Sequence, residues 1–409
     1  MAPPKKWIVN AFVEMCSGHQ SPGLWRHPED HSHEFGDVQH WVELAKLLEE
    51  AKFHGIFIAD VLGGYDVYNG NLDAAKISGA QWPVNEPLSV HDERYAQAEE
   101  YVKVMYKLFE SSWRDDAVVL DREKGIYTVP DRVREINHNG KYFTVPGPHI
   151  CQPSPQRTPL LLQAGTSRAG KQFAAQSAEA IFVSAFSPSV PAKSIAEIRE
   201  LAATQHGRDP SNIKVLALVT PIIGRTEEEA QAKLADYRKY ASLDGALALF
   251  CGWTGIDLGK YGDDEELRQV ESNAVRSTVE AYAKFSPGTS KWTKHTVAEH
   301  VSIGGNGPII VGTPAQVVDG LQTWVDEADV DGFNFAYALF PQSFKDIIEL
   351  LLPELRARGL FWEDYAVPGG TYRENFYSKP GQQGPLDEHI ASKYRWKAGV
   401  DAKDHIIPE

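Results

Sequence analysis

PLLLQAGTSRAGKQFAAQSAEAIFVSA, residues 159–185, carries the decision about fold. It opens on an apolar run, Leu160 to Leu162, turns at Gly165-Thr166-Ser167 into a helical stretch, and closes on a second apolar run from Ala180. Strands that are apolar without alternation are buried on both faces, and two of them joined by a helix make a parallel pair with a crossover. The same unit recurs along the chain. "WIVNAFV" at 7–13 and "HGIFIADVL" at 54–62 flank a helix whose apolar positions are Val38, Trp41, Val42, Ala45 and Leu48. A helix over 92–113 lines up Tyr95, Ala98, Val102, Met105 and Phe109. Helices over 188–206 and 226–242 flank "IKVLALVTPIIG", and "DGFNFAYAL" at 331–339 leads into "SFKDIIELLLPELRARG".

The pattern predicts an α/β protein with six strands, at 7–13, 55–61, 159–164, 180–185, 213–223 and 332–339. An eight-stranded (β/α)8 barrel takes about 250 residues, so two further units would occupy about 60. Their place falls at "WPVNEPLSVHDERY", 82–95, where a polar stretch with two prolines runs straight into a helix signal. Two excursions interrupt the alternation. Residues 114–158 are rich in proline and have hairpin character around Asn139-Gly140; residues 243–312 read as glycine-rich loops, "FCGWTGIDLG" and "SIGGNGPIIVG". The domain plan is one barrel over 1–365 with these insertions, and a polar tail over 366–409 that is expected to pack loosely or as an arm.

Composition narrows the function. The chain has 409 residues, 42% of them apolar, enough for a large core. A formal charge of −15, with no basic run beyond Lys5-Lys6, argues against nucleic acid and against a basic membrane patch. Cys16, Cys151 and Cys251 are far apart and form no CxxC, which suits a reducing compartment. The first apolar run is interrupted by Asn10 and Glu14, too short and too polar for a signal peptide or membrane span, so a cytoplasmic protein without membrane attachment is expected.

Chemistry-bearing residues gather after the strands. In parallel barrels the loops at the carboxyl ends of strands build the active site. After the first strand comes "MCSGHQSPGLWRHPEDHSH", with Cys16, His19, His27, His31 and His33. The last three read equally well as decoration of a polar loop. His31-Ser32-His33 raises a zinc site and with it a metal-dependent hydrolase, but the later strand ends supply no His, Asp or Glu to complete a ligand set, so no metal residue is assigned. Asp60 ends the apolar strand "GIFIAD", where a buried carboxylate needs donors; Tyr65 and Gln81 lie in the following loop. At Gly165-Thr166-Ser167 and Gly170 free backbone N–H groups, two hydroxyls and a helix N-terminus could receive a phosphate, with Arg168 and Lys171 adjacent. Ordinary N-capping explains the same residues. No Walker loop and no GxGxxG stands between a strand and a helix.

Several blocks together, "CSGHQSPGLWRHP", "HGIFIADVLGGYDVYNGN", "QWPVNEPL", "HDERYAQAEEYVKVMYKLFE", "CQPSPQRTPLLLQAGTSRAG" and "GTPAQVVDGLQTWVDEADVDGFNFAYAL", resemble the bacterial luciferase-like flavin-dependent monooxygenases. Within that superfamily the wording is similar to the group of nitrilotriacetate monooxygenase component A, dibenzothiophene-sulfone monooxygenase and long-chain alkane monooxygenase, most of all the last. The likeness runs from about Trp7 to Trp362. It implies a TIM (β/α)8 barrel that takes reduced FMN from a separate flavin reductase and uses O2 to put one oxygen atom into a small organic substrate. It places the FMN phosphate at Gly165, Thr166 and Ser167, Asp60 beside the flavin, and Cys16, His19, Tyr65 and Gln81 on the substrate side. Relatives of this group commonly pair, so a homo-oligomer is expected. The departure from the family is the junction at Leu88, Ser89 and Val90, where two βα units between strands two and five are missing. That leaves a second reading, a non-catalytic shortened variant of such an enzyme.

Overall fold

A computed structural model describes residues 5–60, 64–80, 91–272, 279 and 289–408. The junction at Leu88 to Val90 lies outside them. The chain forms two compact units. The first comprises Met1–Leu88, Val183–Lys193 and Val215–Asp364; the second comprises Ser89–Phe182, Ser194–Lys214 and Tyr365–Glu409. Seven parallel strands run in chain order as β1 (Ile8–Glu14), β2 (Gly55–Ala59), β3 (Leu162–Ala164), β4 (Ala180–Val183), β5 (Lys214–Ile223), β6 (Ile309–Gly312) and β7 (Gly332–Ala336). The α/β class and the six expected strands are present. β6 is the correction: it lies in the stretch read as a glycine-rich loop, because three apolar residues, Ile309 to Val311, after Gly304, Gly305, Gly307 and Pro308 are too few to outweigh the breakers.

In the first unit the order is β2-β1-β7-β5, with β6 joined to the far end of β5 through Ile309↔Thr220 to Gly312↔Ile223. β1 is buried along its whole length, as expected of a parallel strand with a neighbour on each side. Its register sets Asn10 against Asn334, where the Asn10 Nδ2 donates to Asn334 Oδ1 at 2.9 Å, and sets Phe12 against Phe57, whose rings stack at 5.3 Å. β2 pairs with β1 and alternates in burial. Ile56 and Ile58 lie on the face of Ala11 and Val13; those two are sealed while the isoleucines are 37% and 46% exposed.

The helix Val38–Glu50 starts on Asp37, whose side chain accepts from the Gln39 N–H. Its buried face is Leu44 and Leu48; of the stripe predicted from sequence, Val38, Val42 and Ala45 are exposed. Among the described residues the supposed loops of 243–312 include the α-helices Leu243–Thr254 and Lys294–Val301, which share a core of Leu247, Phe250, Leu258, Trp292 and Val297. Glycine misled the reading here. Gly245 and Gly252 are inside the first of these helices because a Cβ would collide with Ser78 and with the Tyr65 ring.

In the second unit β3 and β4 pair in parallel, Leu162↔Ala180 to Ala164↔Phe182. The 114–158 segment forms two antiparallel hairpins, Val118–Asp121 with Ile126–Thr128 and His138–Asn139 with Thr144–Val145, as its turn residues indicated. The polar tail does not trail as an arm. Arg373, fully buried, pairs with Glu179 at 2.8 Å and donates to the Thr158, Gln156 and Gln383 carbonyls, while Tyr394 and Trp396 are buried nearby in sequence. Low mean hydropathy concealed a few large side chains that do the packing. Among the described residues no helix is long and apolar enough to cross a membrane.

Candidate active site

The residues after β1 turn on Gly18, whose φ of +105° is open to glycine at no steric cost. That turn buries Cys16, His19 and Gln20 together behind the end of the strand. Tyr65 joins them from the segment after β2, with its ring laid against the bare Cα of Gly252. A chain of polar contacts follows. The Trp253 Nε1–H donates to Tyr65 Oη at 3.2 Å, and Tyr65 Oη lies 3.3 Å from His19 Nε2. The rings of His19 and Tyr65 stack at 5.2 Å, and Trp253 stands edge-on to both at 5.9 and 6.3 Å.

The cluster is uncharged at neutral pH. Burial lowers His19 to about 4 and raises Tyr65 to about 12, and it pushes the Cys16 thiol far up. Cys16 is therefore a neutral thiol with no thiolate character to attack a substrate. Tyr65 Oη, which accepts from Trp253, can donate to His19 Nε2 or accept from it, according to the imidazole tautomer; the other ring nitrogen is Nδ1. That nitrogen is buried and has no hydrogen-bond partner among the described residues. It is one of several buried polar atoms of which this is true, Gln20 Oε1 in the same loop among them, and inside this cluster the pair leaves hydrogen-bonding capacity for a group that arrives from outside.

Of the predicted substrate-side residues, the structure brings Cys16, His19 and Tyr65 into one cluster; Gln81 lies outside the described residues. Trp253 and Glu14 were missed. Trp253 sat in what read as a loop, and Glu14 had been taken only as a polar interruption of the first strand. The signal for Glu14 was the period of two that puts it on the same face as Asn10, with Phe12 between them, in a fully buried strand. Asp60 directly follows β2 and is exposed, not buried as its strand-end position suggested.

The remaining histidines are accounted for locally. His27 Nε2 meets Asp236 at 2.9 Å over Tyr240, and His31 pairs with Glu34 at the surface beside His33. Among the described residues no three His, Cys, Asp or Glu side chains are placed to hold a metal. A cleft of about 1040 Å³ opens elsewhere in the first unit, between Trp25, Tyr68 and Leu243. It contains none of the residues above, and its lining includes the ion pair Lys294–Asp263 at 2.7 Å.

In the second unit the turn after β3 has the form the sequence predicted. Gly165 takes φ +114°, Ser167 caps the helix Arg168–Ser177 by accepting from the Gly170 N–H at 3.1 Å, and Gly165 and Thr166 are exposed. Gly165 and Gly170 share a reason for being glycine: a Cβ on either would run into the Tyr95 hydroxyl. Tyr95 is a further residue missed from sequence, where it read only as part of a helix's apolar face. Lys171 is committed to Glu197 and does not face the turn as a free cation. Gln163 Oε1 is buried beneath it, with no hydrogen-bond partner among the described residues. A glycine cradle at a capped helix N-terminus, with two hydroxyls, fits a phosphate.

The sequence pattern of the family described as luciferase-like monooxygenase matches residues 66–331. The chain is 38% identical to the dimethyl-sulfide monooxygenase of Hyphomicrobium sulfonivorans, over 96% of this chain and 94% of that protein. It is 39% identical to the long-chain alkane monooxygenase of Geobacillus thermodenitrificans strain NG80-2, over 96% and 98%. The crystal structure of a riboflavin lyase with modified FMN and riboflavin superposes with a TM-score of 0.79 at 26% identity, over 96% of this chain and all of that one. Both sequence alignments run over 456 positions, whereas 96% of 409 residues is about 393, so roughly sixty positions of each relative have no counterpart here.

Proposed function

This chain belongs to the luciferase-like monooxygenase family, and from that premise we propose that it is a two-component monooxygenase: reduced FMN reaches it from a separate flavin reductase, and one atom of O2 is inserted into a small, largely apolar organic substrate. The observation that carries this reading is the His19–Tyr65–Trp253 cluster beside Cys16, a largely buried aromatic wall without charge, in which His19 Nδ1 has no partner among the described residues. Such a wall excludes water and offers an apolar substrate an uncharged surface. Bound reduced flavin would supply the two electrons that send the second oxygen atom to water. For the phosphate of FMN the residues are Gly165, Thr166, Ser167 and Gly170; Cys16, His19 and Tyr65 are the substrate-side residues, joined by Gln81, and Asp60 is the flavin-side carboxylate. Dimethyl sulfide and long-chain alkanes are the first substrates to try. Purified protein, a flavin reductase, NADH, FMN and O2 should consume one of them and form its oxygenated product; no turnover, and no binding of anaerobically reduced FMN, would sink the proposal.

The sixty absent positions support a second reading of this particular chain. We place them between β2 and the helix His91–Tyr106, as two βα units of the barrel. The uncovered Ile56 and Ile58 are what β2 would show if the strand and helix that follow it in a complete barrel were missing. On this reading the chain is a shortened, non-catalytic form of an intact enzyme. The intact mass of the native protein decides it: a species about sixty residues longer supports the shortened form, and a mass equal to this chain's dismisses it.

A further inference from the structure

Glu14 is the last residue of β1, at the end of the strand from which Cys16 and His19 follow. It is 3% exposed, and neither carboxyl oxygen reaches solvent or has a hydrogen-bond partner of ordinary geometry among the described residues. The groups around it are named easily. Tyr337, buried just after β7, and the Gln20 N–H approach the carboxyl closely enough to favour its charged form, while Cys16 in the following loop and Tyr65 after β2 each feel its charge as neutral, ionisable neighbours. Asp30 faces Tyr337 in turn. None of the groups that shift Glu14 is a cation. A buried carboxylate without a counter-ion is costly, and the usual resolution is that the group keeps its proton. Burial accordingly pushes Glu14 up to about 8.

We propose that Glu14 is an un-ionised carboxylic acid in the working protein and sets the charge of the Cys16–His19–Tyr65 wall: protonated, it completes an uncharged surface; ionised, it leaves one unpaired negative charge there and turns away an apolar or anionic substrate. Ionisation releases one proton to solvent and changes nothing else in the wall, since Cys16, Tyr65 and Tyr337 are all shifted upward and stay neutral in the same range. Glu14 is then a positioning residue that sets the pH range over which this wall accepts a substrate. The proposal rests on the reading of the cluster as the substrate side of the site, and the test separates the two.

One arm uses the protein alone. A carboxyl whose pKa is raised on folding binds its proton in the folded state but not in the unfolded one between about 4.5 and 8, so it lowers stability as pH rises through that window and not above it. The melting temperature of Glu14→Gln should therefore gain on wild type steadily from pH 5 to pH 8 and run parallel beyond; equal slopes overturn the proposal. The second arm titrates dimethyl sulfide, an apolar probe of the substrate side, into protein loaded with anaerobically reduced FMN, between pH 6.5 and 9.5. Wild-type affinity should fall about tenfold per pH unit above pH 8, the Gln variant should show no such limb, and Tyr337→Phe, which removes a group that favours the charged form, should move the limb to higher pH. A limb that persists in Glu14→Gln overturns the switch. If wild type binds reduced FMN at no pH, the cofactor reading fails, and the melting arm still decides whether Glu14 is un-ionised.

Discussion

Gly252 shows how a single residue can be both a helix position and a site position. A glycine inside a helix costs roughly 1 kcal/mol relative to alanine, and here the bare Cα is what lets the Tyr65 ring lie against the helix Leu243–Thr254. Gly252→Ala should leave the melting temperature within a few degrees of wild type, because the helical gain offsets part of the displacement. It should cut turnover at least about tenfold by opening the Trp253–Tyr65–His19 contacts, a loss of the order of one hydrogen bond to a buried partner. Unchanged kcat/KM in this variant would mean that Tyr65 has no part in the site. The cysteines give a second residue-level prediction. Cys151 is exposed, whereas Cys16 and Cys251 are buried with thiols raised by burial. One equivalent of a thiol reagent should react in the native protein and three after denaturation, and fast labelling at Cys16 would contradict its neutral, sealed setting. Cys16 and His19 stood out in the sequence because they follow a strand end, and Tyr65 through the family resemblance; the structure brings the three together. The sequence could not show Glu14 or Trp253 beside them, because that depends on which face of a strand or helix turns inward.

At the scale of elements the legible part was the run of apolar strands. β1, β4, β5 and β7 were found within a few residues of their limits, since continuous burial writes itself as continuous Val, Ile, Leu, Ala and Phe. The misreadings share a cause: glycine was taken as loop punctuation where it serves close packing, which hid β6 and the helix Leu243–Thr254. β2 carries its own prediction. Ile56 and Ile58 are too exposed to stabilise the strand much, and an apolar strand beside an uncovered flank invites association between molecules. Ile58→Thr keeps β-propensity and removes apolar surface. It should change stability by no more than about 0.5 kcal/mol while raising the concentration at which light scattering appears. A stability loss of the size expected for a core isoleucine, about 1–3 kcal/mol, would show instead that Ile58 is covered in solution.

Across the whole molecule, buried titratable groups of opposite sense set the pH at which the fold is strongest. His19 and His54 are lowered by burial to about 4 from 6.5, so the unfolded chain binds more protons than the folded one between those values, and stability rises with pH there. His40, His206, His389 and His405 are shifted in the same direction. Glu14 works the other way from about 4.5 to 8. Surface carboxylates held low by neighbours, such as Glu93 beside Lys141 and Asp236 beside Lys239, act below this window. The histidines outnumber Glu14 up to pH 6.5, where their contribution is complete, and above it only the falling limb of Glu14 remains. Stability should therefore peak near pH 6.5 and decline by about 2 kcal/mol at most by pH 8, at 1.36 kcal/mol for each pH unit of one retained proton. His54 lies outside the pocket, where its Nδ1 accepts from the Val9 N–H at 3.2 Å, so it separates the two limbs cleanly. In urea titrations from pH 4.5 to 8, His54→Gln should make the acid limb shallower and leave the alkaline limb untouched; a peak that stays at pH 8 or above in wild type, or an acid limb indifferent to the variant, would mean that these histidines are protonated inside the fold.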